Sequence, residues 1–247
     1  MFFCTITNIF SQTVYELNLN KDIVLGSLSL GIGITPFFVN NKPDNPPVNL
    51  NKNDINGFDR PFIFSHKKYI DIISDNSAYL LALLPVISVI PNIKEENTLL
   101  TYCIMYSEAL LLTFGTTFTL KNAVIRYRPY MYFDGIPDGK EKDYYKSFPS
   151  ASAAFSFLSA SFLSATFSRE YPESKMKLPV IIGSYSLAAA MSSLRIVSGA
   201  HFLTDVLTSA AISSLYGWLI PSIHLKNNSE KISIIPAVNG IIFSISI

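Results

Sequence analysis

Charged residues are scarce in this sequence. Asp, Glu, Lys and Arg make up 15% of its 247 residues, and 49% of the residues are hydrophobic, whereas about 25% of residues are charged in a typical soluble domain. The net charge is only +1, so the chain lacks the broad basic surface expected of a protein that binds nucleic acid. The composition argues against that class of partner and favours a protein whose surface is solvated largely by lipid.

Cysteine and histidine are equally scarce. The two cysteines, Cys4 and Cys103, are too few for a disulfide framework and too isolated for a zinc site. The three histidines, His66, His201 and His224, do not suffice for a histidine-rich metal centre. We therefore expect no metal and no cofactor, and any site for an anion must be built from a few local charges.

Six apolar stretches interrupt the otherwise polar pattern of the chain. Several approach the roughly 20 residues that a helix needs to cross the core of a bilayer. The second stretch is short and contains Pro85 and Pro91, so that taken alone it also fits a buried helix of a soluble protein. Six stretches in one small chain favour an all-α bundle of six transmembrane helices. The stretches are 22–39, 78–91, 99–120, 149–167, 178–194 and 200–220.

The remaining segments belong to a single expected membrane domain over 1–247, with its core at 22–221 and a C-terminal tail at 222–247. A polar loop rich in Asn, Pro and Asp joins the first two stretches. Its end, SHKKYIDIISD, predicts a short amphipathic helix that lies along the membrane surface. The end of the tail, KISIIPAVNGIIFSISI, alternates in polarity and contains an Asn-Gly pair, which predicts a small β-hairpin.

Two polar segments flank the loop between the third and fourth stretches. Lys121 and Arg128 are seven residues apart, about two helical turns, and face the same way if the helix continues. Basic side chains that extend to the membrane interface would give the same pattern. Ser150 follows Pro149 at the start of the fourth stretch, as in many ordinary helix starts. Such a start also leaves backbone N–H groups that can hold an anion.

A third polar segment joins the fifth and sixth stretches. His201 and Asp205 are four residues apart and are therefore neighbours on one helix face. A carboxylate beside an imidazole fixes its tautomer and orients the ring, although a purely structural hydrogen bond would use the same spacing. Asp205 lies inside an apolar stretch, where an unpaired acid is costly and commonly functional.

Topology brings these segments together. If successive helices alternate in direction, the third helix ends on the face where the fourth begins and where the fifth ends. The cations there would disperse charge on phosphoryl oxygens, and the imidazole would attack phosphorus. The sequence therefore predicts a site for a phosphoryl group. The converging residues are Lys121, Arg128, Ser150, Arg195 and His201.

These spacings resemble the three signature motifs of the type 2 phosphatidic acid phosphatase superfamily, which also contains the vanadium haloperoxidases. The motifs are Lys-x6-Arg-Pro from Lys121, Pro-Ser from Pro149, and Arg-x5-His-x3-Asp from Arg195. The resemblance covers residues 121–205 by motif and the six-helix layout by order. It implies a membrane phosphatase that needs no metal.

The resemblance also implies a role for each matching residue. His201 would be the nucleophile that forms a phosphohistidine, and Asp205 would orient it. The substrate would be a phosphorylated lipid, such as phosphatidic acid, phosphatidylglycerol phosphate, lipid A or undecaprenyl diphosphate. The phosphate-binding residues would be Lys121, Arg128, Ser150 and Arg195.

One position departs from the superfamily pattern. Its second motif is usually Pro-Ser-Gly-His, in which the histidine protonates the leaving group, but this chain has Ala151 and Ser152 there. General acid catalysis contributes about 10²–10⁴-fold, and a serine hydroxyl is too weak an acid at neutral pH to supply it. Ser152 therefore occupies the catalytic acid position without the usual chemistry. Leu194 also stands where serine is usual.

Three interpretations of Ser152 stay open. The protein is a weak phosphatase that uses water or another acid, such as His66. Alternatively, it cleaves a diphosphate, whose departing phosphate needs little protonation. Finally, it is a catalytically impaired pseudophosphatase that binds a phosphorylated lipid, since binding needs the cations but no acid.

Two further charged residues, Glu108 and Arg126, lie near the motif segments in the sequence. Glu108 lies in the third stretch and is expected to pack against Ser or Tyr of a neighbouring helix. Arg126 is expected to contact the surface or lipid headgroups.

The excess of Lys and Arg on the motif face would place that face in the cytoplasm, but several of these charges belong to the site itself. The resemblance implies instead a multi-pass protein of a bacterial inner membrane, with its site on the periplasmic face.

Overall fold

Helices dominate the computed structural model, which describes residues 13–47, 50–89, 98–133, 135–226, 231–237 and 240–246. Within these residues, six helices of 14 to 26 residues and one single-turn helix follow one another along the chain. Short 3₁₀ turns lie at Thr35–Phe37, Lys52–Asp54, Arg60–Phe62 and Pro129–Tyr132. The helices are α1 (Leu19–Ile34), α2 (Lys68–Leu81), α3 (Val86–Val89), α4 (Thr98–Ala123), α5 (Ala151–Glu170), α6 (Lys177–Val197) and α7 (Leu203–Ile223).

Helix α5 lies at the centre of the bundle and packs against α2, α4, α6 and α7. Its packing relies on small residues. Gly217 of α7 approaches α5 so closely that a Cβ at this position would lie 2.7 Å from the carbonyl oxygen of Leu158. Small residues allow such close approach where lipid offers no hydrophobic drive for helices to associate.

Among the residues that the structure describes, four helices, α4 to α7, are long and apolar enough to cross a membrane. The prediction of an all-α membrane bundle is confirmed. The first stretch forms a shorter helix than expected, because α1 ends at Ile34, just before the 3₁₀ turn that contains Pro36.

The second apolar stretch does not form one helix. Helix α2 ends at Leu81, turns follow at 82–85, and α3 comprises only four residues. Pro85 explains the break, because proline lacks an N–H to donate and disfavours the helical conformation in the residue before it. The prediction of a continuous helix at 78–91 is therefore wrong up to residue 89, and residues 90–91 lie outside the described part of the chain.

Helix α2 turns its polar side toward the protein. Asp71 and Ser74 are buried, whereas Ile72 and Leu80 are exposed. The helix packs against α5 and α6. The amphipathic helix predicted at 65–75 is thus helical from Lys68 onward, and its inward polar side brings carboxylates to the end of the bundle where α5 begins. Its position along the membrane surface stays a prediction.

The three polar segments meet at this same end of the bundle, as the alternation of the helices predicts. The backbone N–H of Tyr130, in the loop after α4, donates to the carbonyl of Gly199 at 3.1 Å. At the start of α5, the N–H of Ser150 donates to the carbonyl of Asp205 at 3.3 Å. These bonds join the α4–α5 loop, the start of α5 and the α6–α7 turn.

The C-terminal tail forms the predicted β-hairpin. Strands β1 (Lys231–Ala237) and β2 (Gly240–Ser246) pair antiparallel, from Lys231 opposite Ser246 to Ala237 opposite Gly240. The turn residues 238–239 lie outside the described residues.

Candidate active site

A polar cavity of about 210 Å³ lies where the ends of α2, α4, α5 and α6 meet the loops beside them. It contains basic, acidic and hydroxyl side chains together with a few apolar ones. Five of the seven residues that the sequence predicts for the site line the cavity: Lys121, Arg128, Ser152, Arg195 and His201. The other two, Ser150 and Asp205, are not part of its lining. The lining residues are Asp75, Ala78, Phe118, Lys121, Arg128, Lys140, Asp143, Ala151, Ser152, Phe155, Arg195 and His201.

His201 is buried in the turn between α6 and α7. Its Nδ1 lies 2.7 Å from the carbonyl oxygen of Ser147, which can only accept, so Nδ1 carries the proton. Its Nε2 lies 3.2 Å from a guanidinium nitrogen of Arg128, which can only donate, so Nε2 holds the lone pair. Burial, followed by the charges of Arg128, Lys121 and Arg195, holds the pKa of His201 well below its usual value. The imidazole is neutral, with the lone pair on Nε2 that a nucleophile needs.

The turn that carries His201 requires glycine at residue 199. Gly199 has a φ of +74°, and a Cβ there would lie 2.4 Å from the carbonyl oxygen of Phe64. Only glycine combines this left-handed backbone with such close approach. The turn thereby holds His201 against the loop before α2.

Asp205 lies behind His201, as its spacing predicts. One of its oxygens accepts hydrogen bonds from the hydroxyl of Ser147 at 2.6 Å and the backbone N–H of Phe202 at 2.8 Å. The same oxygen is 3.5 Å from Nδ1 of His201, farther than the Ser147 carbonyl. Ser147 therefore contacts both residues, and Asp205 supports the imidazole in part through it.

Arg126 does not lie free on the surface, and that prediction is wrong. Its guanidinium bridges two carboxylates: it pairs with Asp205 and, at 2.6 Å, with Asp59. It also stacks 4.3 Å above the ring of Phe202. Arg126 thus ties the loop before α2 to the carboxylate behind His201.

Asp59 completes this connection from the loop between α1 and α2. It accepts from the backbone N–H of Thr204 at 2.9 Å and from its hydroxyl at 2.6 Å. Burial would raise the pKa of Asp59, but hydrogen bonds from Thr204, Asn56 and Arg126 outweigh it and hold the pKa below its usual value. Asp59 is therefore a buried carboxylate anion that caps the start of α7.

Three buried cations surround the cavity. Lys121 donates to the carbonyl of Lys146 at 2.8 Å. Arg128 donates to the carbonyl of Ala200 at 2.9 Å and pairs with Asp143. Such groups can hold a phosphoryl group from several sides, since guanidinium donors match its oxygens in geometry and charge.

Arg195 approaches the cavity from α6 and is held by α2. Its guanidinium lies 2.7 Å from the carboxylate of Asp71 and 3.2 Å from the hydroxyl of Ser74. Its Nε has no hydrogen-bond partner among the described residues. Asp71 also pairs with Lys140 at 2.7 Å. Burial opposes ionisation of Asp71, but Arg195, Lys140 and His66 outweigh it and lower the pKa to about 2.

The residues that match the motifs all lie within a segment that a family model recognises. The model of the PAP2 superfamily matches residues 100–229, more than half of the chain. The chain belongs to the PAP2 superfamily. Comparisons with curated proteins and with solved structures find no match. The superfamily consists generally of phosphatases, which gives this chain a phosphatase-type function.

The two serines at the start of α5 have different surroundings in this PAP2 protein. Ser150 is fully buried, and its hydroxyl accepts from the backbone N–H of Ala153 at 3.5 Å, as a helix cap. It does not line the cavity, so its predicted contact with phosphate has no support from its placement. Ser152 does line the cavity, and its hydroxyl donates to the carboxylate of Asp75 at 2.5 Å. The position of the usual histidine thus holds a serine bonded to an acid from α2.

His66 is not placed to act as the missing acid. Its Nε2 lies 3.2 Å from the carboxylate of Asp71, and its ring packs edge-on against Tyr130. It is absent from the cavity lining. The hypothesis that the loop brings His66 to the leaving group has no support in this PAP2 structure.

Glu108 lies far from the candidate site along α4. Its carboxylate is 3.5 Å from Nε2 of His224, which also lies 3.1 Å from Asp22. The expected partner, a Ser or Tyr of a neighbouring helix, is wrong, and a histidine just after α7 takes its place. Among the described residues, no three His, Cys, Asp or Glu side chains are grouped so that they could hold a metal ion.

Several site residues of this PAP2 protein escape prediction from the sequence. Lys140 and Asp143 belong to a loop with no regular pattern, and Asp71 and Asp75 lie four residues apart on a helix whose apolar side faces outward. The four-residue spacing of two acids was a usable signal, because it places both on one helix face. Ser147 contributes a backbone carbonyl, for which the sequence has no signal.

Proposed function

We propose that this membrane protein hydrolyses a lipid phosphate or diphosphate, with preference for a diphosphate, through a phosphohistidine at His201. The observation that carries the proposal is the neutral imidazole, whose unprotonated Nε2 lines a cavity together with three buried cations. Because Nδ1 donates to the Ser147 carbonyl, the imidazole is oriented before the substrate arrives.

The first step transfers the terminal phosphoryl group to the protein. The lone pair on Nε2 of His201 forms a bond to phosphorus, and the bond between phosphorus and the leaving oxygen breaks. Lys121, Arg128 and Arg195 stabilise the charge on the transferring oxygens. Arg128 must then exchange part of its contact with Asp143 and Nε2 for the phosphoryl oxygens.

The layering of the cavity supports an amphiphilic substrate. Three helices each contribute one polar and one apolar lining residue, three residues or about one helical turn apart, and the apolar residue lies farther into the bundle. The pairs are Asp75 and Ala78 in α2, Lys121 and Phe118 in α4, and Ser152 and Phe155 in α5. A charged headgroup would occupy the polar layer while the apolar chain continues past the other layer into the lipid.

Ser152 supports a diphosphate over a monophosphate. A lipid monophosphate must expel an alkoxide, which needs an acid at the position that Ser152 holds. A lipid diphosphate that loses its terminal phosphoryl group expels the lipid monophosphate, which is stable as an anion and needs no acid. Because the missing acid contributes about 10²–10⁴-fold, we expect cleavage of undecaprenyl diphosphate to exceed that of phosphatidic acid by a comparable factor.

The test is a phosphate-release assay with purified protein over lipid monophosphates and diphosphates. Ser152→His should accelerate cleavage of the monophosphates more than that of the diphosphates, and His201→Ala should abolish release from both. Equal rates for both substrate classes in the wild type would contradict the preference. Unchanged release by His201→Ala would refute the mechanism.

A pseudophosphatase is the alternative that the structure makes specific. Lys121, Arg128 and Arg195 line the cavity while Ser152 takes the place of the usual acid, so the cations could hold phosphate without completing turnover. Such a protein would bind a lipid diphosphate yet release no phosphate. Its His201→Ala variant would bind about as tightly, because binding needs the cations and not the nucleophile.

We further propose that the site faces the periplasm of a bacterial inner membrane. The orientation can be measured with one cysteine, introduced as Asp138→Cys in a background with both native cysteines replaced by serine. Asp138 is exposed in the loop that carries Lys140. A membrane-impermeant maleimide should label it in intact spheroplasts; labelling only after lysis would place the site in the cytoplasm.

A further inference from the structure

The carboxylate of Asp75 lies in the cavity beside Ser152, the motif position that holds a histidine in the superfamily pattern. One of its oxygens accepts from the Ser152 hydroxyl at 2.5 Å and lies 3.6 Å from the guanidinium of Arg195. Its side chain is 55% exposed, whereas that of Asp143, the other carboxylate of the lining, is 39% exposed and paired with Arg128. Asp75 is the carboxylate with room to contact a second molecule in the cavity.

The hydrogen bond from Ser152 supports one role for Asp75. The Ser152 hydroxyl donates to an oxygen of Asp75, the arrangement that a carboxylate acceptor makes. A carboxylate that accepts protons is a base and not an acid. It gives no help to a leaving alkoxide, but it suits the removal of a proton from water.

A phosphohistidine intermediate requires such a base. After the first step, water must attack phosphorus while it loses a proton, and none of the cations can accept one. Neutral imidazole is unavailable for this because His201 carries the phosphoryl group. His66 lies outside the cavity lining, and Asp205 is behind His201 in bonds to Ser147 and Arg126.

We infer that Asp75 is the general base for the second half of the reaction, an inference that rests on the proposed phosphohistidine mechanism. The water oxygen forms a bond to phosphorus, the bond between phosphorus and Nε2 of His201 breaks, and the water proton passes to the Asp75 carboxylate. Orthophosphate leaves, and Asp75 then returns its proton to solvent. Ser152 and Arg195 hold the carboxylate in place.

This assignment explains why a serine at residue 152 is compatible with turnover. The reaction has two proton-transfer tasks, protonation of the leaving group and deprotonation of the attacking water. Here Asp75 performs the second task, and the first needs no residue when the leaving group is a phosphate. Asp75 and the preference for a diphosphate are therefore two consequences of the same replacement.

The experiment is a rapid-quench measurement with undecaprenyl diphosphate that carries a radiolabel on its terminal phosphate. In Asp75→Asn, label should enter the protein at a rate within about tenfold of the wild type, whereas its release should slow by about 10²-fold or more. The labelled protein should accumulate. Hydroxylamine, a stronger nucleophile than water that needs no base, should restore release.

Two variants serve as controls. Asp138→Asn makes the same chemical change at an exposed residue that does not line the cavity, and both phases should match the wild type. Asp75→Glu keeps a carboxylate and should release label faster than Asp75→Asn, which separates loss of the base from loss of the fold.

The outcomes distinguish the two proposals. If the wild type turns over without labelled protein, the phosphohistidine mechanism fails and Asp75 loses its role with it. If the wild type is labelled but Asp75→Asn releases phosphate at the normal rate, only the assignment of Asp75 fails. It also fails if Asp75→Asn takes up no label while Asp138→Asn does.

Discussion

The two parts of this chain contribute different groups to the candidate site: the part before residue 100 contributes carboxylates, and the matched part contributes the cations, His201 and two further carboxylates, Asp143 and Asp205. The segment that matches the PAP2 superfamily, residues 100–229, supplies His201 and the buried cations. The segment before it supplies Asp59, Asp71 and Asp75, which contact Arg126, Arg195 and Ser152 from the other side. In the proposed mechanism the matched part holds and attacks the phosphoryl group, and carboxylates of the preceding part position these groups and take up a proton.

This division suggests how the site can work without its usual histidine. The motif residues depart from the superfamily pattern only around Ser152 and at Leu194, and the carboxylate that we propose as compensation comes from α2. Residues outside the matched segment should therefore affect catalysis as well as packing. The following predictions test that comparison.

The largest effect is expected from the cations of the matched part. Arg195→Ala should lower kcat/KM for the diphosphate by about 10²–10³-fold, because it removes donors that stabilise charge in the transition state. The matched control is Arg169→Ala at the far end of α5, where the guanidinium contacts Ser222. Steady-state kinetics of both variants decide the matter: if Arg169→Ala loses as much activity, the effect of Arg195 is only structural.

A smaller loss is expected at the connection between the two parts. Asp59→Asn leaves Arg126 with one carboxylate partner and weakens the hydrogen bonds to Thr204, so it should destabilise the fold by about 1–3 kcal/mol. Because Arg126 also holds Asp205, kcat should fall about tenfold. Asp54→Asn, an exposed change in the same loop, should leave thermal stability and kcat unchanged. If Asp59→Asn and Asp54→Asn have the same thermal stability and the same kcat, the loop before α2 does not support the site.

The acid limb of the pH profile should reveal the influence of the cations on His201. Since its pKa is lowered, the imidazole stays neutral below pH 6.5, and kcat/KM should persist there. Arg128→Gln removes one nearby charge, so the limb should move to higher pH even as the rate falls. A limb at or above pH 6.5 in the wild type would contradict the assigned surroundings of His201.

The smallest expected effect concerns stability through Asp71. Its folded pKa of about 2 lies below the usual 3.8, so the stabilisation is present above pH 3.8 and is lost as the pH falls toward 2. The contribution is about 1–2 kcal/mol. In detergent, Asp71→Asn should lower the Tm near neutral pH. The Tm of this variant should also change less than that of the wild type as the pH is lowered. The range from pH 5 to pH 3 extends about one unit on either side of the usual Asp pKa. A wild-type Tm that is constant over this range would contradict the contribution.

The sequence predicts the matched part well, because charged residues at helical spacing within apolar stretches are conspicuous. The alternation of the helices predicts that Lys121, Arg128 and Arg195 converge, and each lines the cavity. The shared helix face expected for Lys121 and Arg128 is wrong, because α4 ends at Ala123. Asp75 could not be predicted in the same way, since its importance depends on how α2 packs. The outward apolar side of α2 matches the pattern of a helix at the membrane surface, although its polar side points inward.

Other differences have equally physical causes. Arg126 is two residues from Arg128 in the sequence but faces a separate carboxylate pair, Asp205 of α7 and Asp59 of the folded loop before α2. Ser150 sits in the expected motif yet is used by the helix cap. The break near residue 82 was predictable, because Pro85 prevents a continuous helix.

The central claim is that Nε2 of His201 receives the phosphoryl group. The most direct test quenches the wild-type protein during turnover of the radiolabelled diphosphate and maps the labelled residue by peptide sequencing. The label should lie on His201, in an acid-labile, alkali-stable linkage, and should be absent from His201→Ala. Label on another residue, or steady release of phosphate without any labelled protein, would contradict the account.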